Sequence, residues 1–84
     1  MHASKPLKTF REGPVSASVW LRQTRGRVFY DVSFSRSSKQ RRTSKPGYFS
    51  HRHIDSLIDV AIEAQVWIME QERTRQASSL IPAI

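Results

Sequence analysis

Two aromatic side chains and three arginines share one stretch of this 84-residue sequence. Trp20 and Phe29 lie in segments that also hold Arg22, Arg25 and Arg27. Aromatic rings offer flat surfaces on which nucleobases stack, and guanidinium groups contact phosphates and also stack. If these five side chains share one surface, that surface suits nucleic acid. The alternative is that Trp20 and Phe29 are buried, either by the N-terminal segment or by a second copy of the chain.

Two predicted strands would position these side chains. Apolar residues take the odd positions over Val15–Leu21 and the even positions over Val28–Phe34. This period of two is typical of half-buried strands. Opposed residues of an antiparallel pair share a face, so odd positions must oppose even ones and the loop must hold two or four residues. A two-residue Arg25-Gly26 turn satisfies this condition.

The two-residue turn predicts which residues face each other across the hairpin. Its apolar pairs form a core face, and its remaining pairs form an outer face. The core pairs are Leu21 with Tyr30, Val19 with Val32 and Ala17 with Phe34, and the outer pairs are Arg22 with Phe29 and Trp20 with Asp31.

The rest of the first half completes the predicted sheet. Residues 1–7 are polar and are expected to be flexible, and a single domain is expected over residues 8–76. Lys8–Arg11 is a candidate first strand closed by Gly13-Pro14, and Tyr48-Phe49 is a candidate last strand. The fold class is therefore α+β, with three or four antiparallel strands before one helix.

The charge of the chain is divided by position. Residues 1–52 hold 12 Lys and Arg against Glu12 and Asp31, a net charge of +10, whereas residues 53–84 carry −3. A basic sheet backed by an acidic helix presents one electropositive surface, which favours polyanions. Residues 36–45 form a basic arm without acidic residues. Phosphate contact is its natural use, and binding would then depend on salt.

The period changes to that of a helix after Ser50, a plausible N-cap. One amphipathic helix is expected from about His51 to about Arg75, followed by a short tail over residues 77–84. Its predicted sheet-facing stripe consists of Ile54, Leu57, Ile58, Ala61, Ala64, Gln65 and Ile68. The whole apolar arc spans roughly 220°, more than one sheet face covers. The surplus predicts a homodimer through the helix, with an interface of Val60, Ala64, Trp67 and Ile68.

Other functional classes find little support. There is no cysteine, and His51 and His53 at a helix start lack the carboxylates that would complete a metal site. No arrangement places a nucleophile, a base and an orienting group together, so no enzyme, metal or cofactor is expected. Neither a signal peptide nor an apolar membrane span is recognisable, and a cytoplasmic protein is expected.

The order of strands, basic arm and C-terminal helix resembles the single-stranded DNA-binding fold of the transcriptional coactivator and Whirly-type proteins. The likeness covers roughly residues 8–75, through Val15–Leu21, Val28–Phe34, the arm and Ile54–Ile68. It implies a curved sheet, dimerisation through the helix, and binding of unpaired DNA by basic and aromatic residues. The layout is also comparable to the arm-binding domains of phage-type integrases, which insert a three-stranded sheet into duplex DNA, and the sequence is similar to small uncharacterised bacterial proteins.

The sequence therefore predicts a small protein that binds nucleic acid without strict sequence preference, single strands above duplexes and DNA above RNA. The alternative is a protein-interaction module, an adaptor or inhibitor that uses its apolar helix face or binds an acidic partner. The predicted nucleic-acid contacts are Trp20, Arg22, Arg25, Arg27, Phe29, Arg36, Lys39, Arg41, Arg42, Lys45 and Arg52.

Overall fold

The computed structural model describes residues 5–37 and 47–80, with side chains as far as residue 76. Three antiparallel strands, β1 (Lys8–Glu12), β2 (Val15–Thr24) and β3 (Arg27–Arg36), form one sheet in that order. A short 3-10 helix (His51–His53) leads directly into α1 (Ile54–Leu80). The predicted α+β arrangement of an antiparallel sheet and one C-terminal helix is confirmed.

The β2–β3 hairpin has the predicted register. Arg22 pairs with Phe29 and Trp20 with Asp31, and the apolar pairs fall on the other face. The turn contains two residues with positive φ, Arg25 at 31° and Gly26 at 81°. Two positive φ angles define a type I′ turn, whose twist matches that of the flanking strands. Glycine adopts this conformation without strain, but arginine does not.

Of the three or four strands predicted, the sheet has three, because the candidate last strand at Tyr48-Phe49 does not form. Tyr48 and Phe49 form no strand, and only three residues separate Gly47 (φ 83°) from the 3-10 helix. That length is too short to pair along the sheet before the chain must turn into the helix. Tyr48 is 69% exposed, whereas Phe49 packs against the core.

The core lies between the sheet and α1. Val15, Ala17 and Val19 of β2 are fully buried against Val60 and Ala64 of α1. The helix packs chiefly on β1 and β2 and much less on β3. The helix therefore covers only part of the β3 surface that faces it.

The helix is rotated by about 80° from the predicted orientation. Trp67 and Ile68 pack against the core beside Val60 and Ala64, so these four residues belong to the fold of one chain. The prediction that these four residues form a dimer interface is therefore corrected, because they pack within a single chain. Trp67 contacts Tyr30 edge to face, with the ring centroids 6.2 Å apart. Burial of this largest helix side chain accounts for the rotation, because aromatic rings contribute the most buried area.

The two ends of α1 also differ from the predictions. Ser50 makes no side-chain capping bond, and its hydroxyl instead accepts a hydrogen bond of 2.9 Å from Arg36 Nη1. The helix continues to Leu80 rather than ending near Arg75, whose guanidinium lies 5.6 Å from the Tyr30 ring centre. None of the described helices combines the length and apolar content needed to span a membrane.

Candidate nucleic-acid interface

The face of the sheet that points away from α1 is here called the outer face. Alternation along each strand places its residues opposite the buried set of β2. Its described members are polar, aromatic or charged, and Asp31 is the acidic residue among them. They comprise Thr9, Arg11, Ser16, Ser18, Trp20, Arg22, Thr24, Arg27, Phe29, Asp31, Ser33 and Ser35.

The two aromatic residues of the predicted site both lie on this face. The indole Nε1 of Trp20 donates a hydrogen bond of 2.8 Å to Ser33 Oγ. The half-buried ring is thereby tied from β2 to β3. Phe29 is 42% exposed and sits opposite Arg22. Both rings are thus presented on the outer face, where Phe29 is exposed in the single chain, and burial by a second copy of the chain stays a prediction.

Arg22 and Asp31 form an ion pair on the outer face, toward the hairpin turn. Arg22 Nε donates to Asp31 Oδ2 at 2.9 Å, and both side chains are nearly half exposed. An exposed pair of this kind adds little stability. It fixes the direction of the guanidinium and offsets part of its charge.

The hairpin tip concentrates positive charge beside the aromatic residues. Arg25 and Arg27 are exposed there, close to the paired residues Arg22 and Phe29. Arg11 on β1 adds a further exposed guanidinium, paired in register with Ser16. Arg11 was not among the predicted contacts, although its place next to the apolar Phe10 in the candidate first strand indicated that it faces outward.

A group of hydroxyls occupies the middle of the outer face and was also missed. Thr9 Oγ1 lies 3.2 Å from Ser18 Oγ, and Ser16 Oγ lies 2.7 Å from Ser35 Oγ. Ser16 is buried, with 7% exposed, whereas Ser35 is exposed. Exposed hydroxyls donate readily to phosphate oxygens, and such contacts position a nucleic acid without reading its sequence. The alternation of serine with apolar residues in both long strands was the available signal.

The remaining predicted contacts are not gathered on the outer face. Arg36 turns to the helix side and binds Ser50, and Arg52 lies exposed in the 3-10 helix. The other predicted contacts lie outside the described residues, and they are Lys39, Arg41, Arg42 and Lys45. The structure therefore brings together Trp20, Arg22, Arg25, Arg27 and Phe29.

The helix side has the opposite character. An open groove of about 360 Å³ runs between β1 and α1, lined by Phe10, Ile62, Glu63, Val66, Trp67 and Glu70. Burial raises the pKa of Glu63, and the neighbouring Glu12 carboxylate raises it further. Carboxylates therefore crowd this groove, although Arg36, Arg52 and Arg75 also lie on the helix side of the sheet.

Within residues 5–37 and 47–80, no group of three His, Cys, Asp or Glu side chains could hold a metal ion. No protein-family model, curated protein or solved structure matches this chain. The outer face must therefore be interpreted from its own residues.

Proposed function

We propose that this protein binds nucleic acid on the outer face, with little sequence preference and with preference for single strands. Trp20 and Phe29 stack on bases, and Arg11, Arg22, Arg25 and Arg27 contact phosphates. The function is binding rather than catalysis, and it suits the cytoplasmic location expected from the sequence. DNA is the expected partner ahead of RNA.

One observation carries the proposal. The outer face combines a tethered indole, an exposed phenyl ring and three arginines, with Arg25 at the adjoining turn, and none of these side chains contributes to the core. Asp31 is the acidic residue facing them in the described part of the sheet. Stacking surfaces within a basic groove or face are the usual means of binding single strands without sequence recognition.

Fluorescence anisotropy of labelled oligonucleotides tests the proposal. Single-stranded and duplex DNA are titrated with the protein at about 50 and 200 mM salt, the range over which phosphate contacts weaken strongly. Tight, salt-sensitive binding that favours the single strand supports it. Absence of binding at the lower salt would overturn it, and tighter binding to duplex would transfer the proposal to double-stranded DNA.

The interaction-module alternative is favoured by a different observation, the exposed apolar residues of α1. Ile58, Ile62, Val66 and Met69 are each about half exposed. Trp67 is unsuited to test this alternative, because it packs against the core and Tyr30. If polar replacements at Ile62 and Val66 abolish the biological activity while oligonucleotides never bind, the interaction module is the better account.

A further inference from the structure

The side of α1 that faces away from the sheet carries an apolar row with a charge at each end. The row consists of Asp55, Ile58, Ile62, Val66, Met69 and Arg73, spaced by three or four residues. At about 100° per residue, all six lie within an arc of about 80°. Val60 and Ala64 are buried on the opposite side, so the row faces away from the core, and Ile62 and Val66 also border the open groove beside Phe10.

The exposure of this row is unusual for a single small chain. Ile58 is 49% exposed, Ile62 52%, Val66 51% and Met69 60%. Four large apolar side chains in one contiguous line are typical of an interface, whereas single exposed apolar residues need no explanation. The same helix already buries its other side in the core, so it is apolar on two opposite sides.

The order of residues along the row is complementary to its own reverse. A two-fold axis level with residue 64 sets Asp55 opposite the partner's Arg73. The same axis sets Ile58 level with the partner's Met69 and Ile62 level with the partner's Val66. A parallel pair would instead oppose Asp55 to Asp55 and Arg73 to Arg73. The charges therefore select the antiparallel arrangement.

We propose that the chain forms a two-fold homodimer in which the α1 rows pack antiparallel. Each copy buries its four apolar side chains against the other, and Asp55 pairs with the partner's Arg73 at both ends. Isologous contacts of this kind are the commonest in soluble oligomers. Arg73 is free to take part, because its bond to Glu70 is long, at 3.7 Å, and exposed.

The layers of such a dimer follow from the fold. Two sheets lie on the outside and two helices between them, so the two outer faces point in opposite directions. Each face then remains open to its own ligand. Dimer formation is independent of the proposed nucleic-acid binding, and the two proposals can fail separately.

Sedimentation equilibrium over a range of protein concentrations tests the dimer. Wild type is expected to sediment as a dimer, and the double variant Ile62→Gln with Val66→Gln as a monomer. Ile54→Gln, a matched change beside the row, is expected to leave the dimer intact. Circular dichroism verifies that each variant folds. A monomeric wild type at high micromolar concentration, or a dimeric double variant, would overturn the proposal.

Charge exchange tests the antiparallel arrangement. Asp55→Arg alone converts two attractive contacts into two repulsive ones, and Arg73→Asp alone does the same, so each should weaken association by about tenfold. The double variant with both changes should regain wild-type association. In a parallel dimer Asp55→Arg would leave association nearly unchanged, and that result would contradict the proposal. Binding of a short oligonucleotide is also measured for the monomeric Ile62→Gln/Val66→Gln variant. This measurement tests the outer face without the dimer, so the two proposals are tested separately.

Discussion

Trp20 and Ser33 are joined across the hairpin, with the indole Nε1 donating to the serine Oγ at 2.8 Å. The two residues come from β2 and β3 and are not directly opposite in the register, where Trp20 faces Asp31 and Ser33 faces Ser18. The bond therefore draws the indole diagonally over the outer face. A ring held in one orientation loses less freedom when a base stacks on it.

Ser33→Ala is expected to release the indole without disturbing the core. Affinity for a single-stranded oligonucleotide should fall about two- to tenfold, the range expected for one lost hydrogen bond. The chain has two tryptophans, so NMR should show one indole N–H signal moving and that of Trp67 unchanged. Ser35→Ala, which removes a hydroxyl bonded to Ser16 instead, is the matched control for the indole signal and should leave the Trp20 N–H in place. An unmoved Trp20 signal would contradict the tether.

Arginines on the outer face and arginines on the helix side are expected to contribute differently to nucleic-acid binding. Arg27→Gln should reduce the slope of log affinity against log salt by about 0.7, the loss of one contact to a single strand. Arg52→Gln removes the same charge from the helix side and should leave the slope unchanged. Equal effects of the two variants, measured by anisotropy at several salt concentrations, would show that net charge rather than the outer face determines binding.

The positive φ of Arg25 predicts a stabilising substitution. Arg25→Asn places at this position a residue that accepts left-handed φ, and should raise the free energy of unfolding by roughly 1 kcal/mol. Arg25→Lys keeps both the strain and the charge, and should change neither stability nor affinity. Urea denaturation measures stability, and anisotropy should show weaker binding for the asparagine variant only. A less stable asparagine variant would count against the type I′ turn.

Glu63 makes stability depend on pH. Its pKa is raised above the ordinary 4.5 in the folded state, first by burial and then by Glu12. The folded state therefore holds this proton more tightly than the unfolded state, and stability is lost as pH rises from about 4.5 through the raised pKa. Glu63→Gln should melt at a higher temperature than wild type at neutral pH, and the difference should vanish below pH 4.5.

Glu72→Gln is the control for that experiment, because Glu72 is exposed on α1. It should change the melting temperature little at either pH. A Glu63→Gln variant that melts below wild type at neutral pH would show that the carboxylate is stabilised rather than strained in the folded protein.

Much of the fold could be predicted from the sequence because the two long strands alternate without interruption. That alternation, with the Arg25-Gly26 turn, determined the register and so placed Trp20 and Phe29 together. The rotation of α1 could not be predicted, because the helix is apolar on two opposite sides and either could face the sheet. Packing of Trp67 on Tyr30 decided between them, and that contact depends on tertiary structure. The hydroxyls of Thr9, Ser16 and Ser35 were not predicted as contacts, because the alternation of serine with apolar residues indicates the side of the sheet they occupy but not what they contact.

Phe29 and Phe34 provide the most direct test of the outer face. Both lie on β3 and are almost equally exposed, at 42% and 40%, but Phe29 lies on the outer face and Phe34 on the helix side. Each is replaced by alanine, and affinity for a single-stranded oligonucleotide is measured by anisotropy at about 50 mM salt. Loss of one stacking ring should weaken binding by the Phe29 variant about five- to 100-fold, whereas the Phe34 variant should bind as wild type. Equal affinities, or a larger loss for Phe34→Ala, would contradict the assignment of binding to this face.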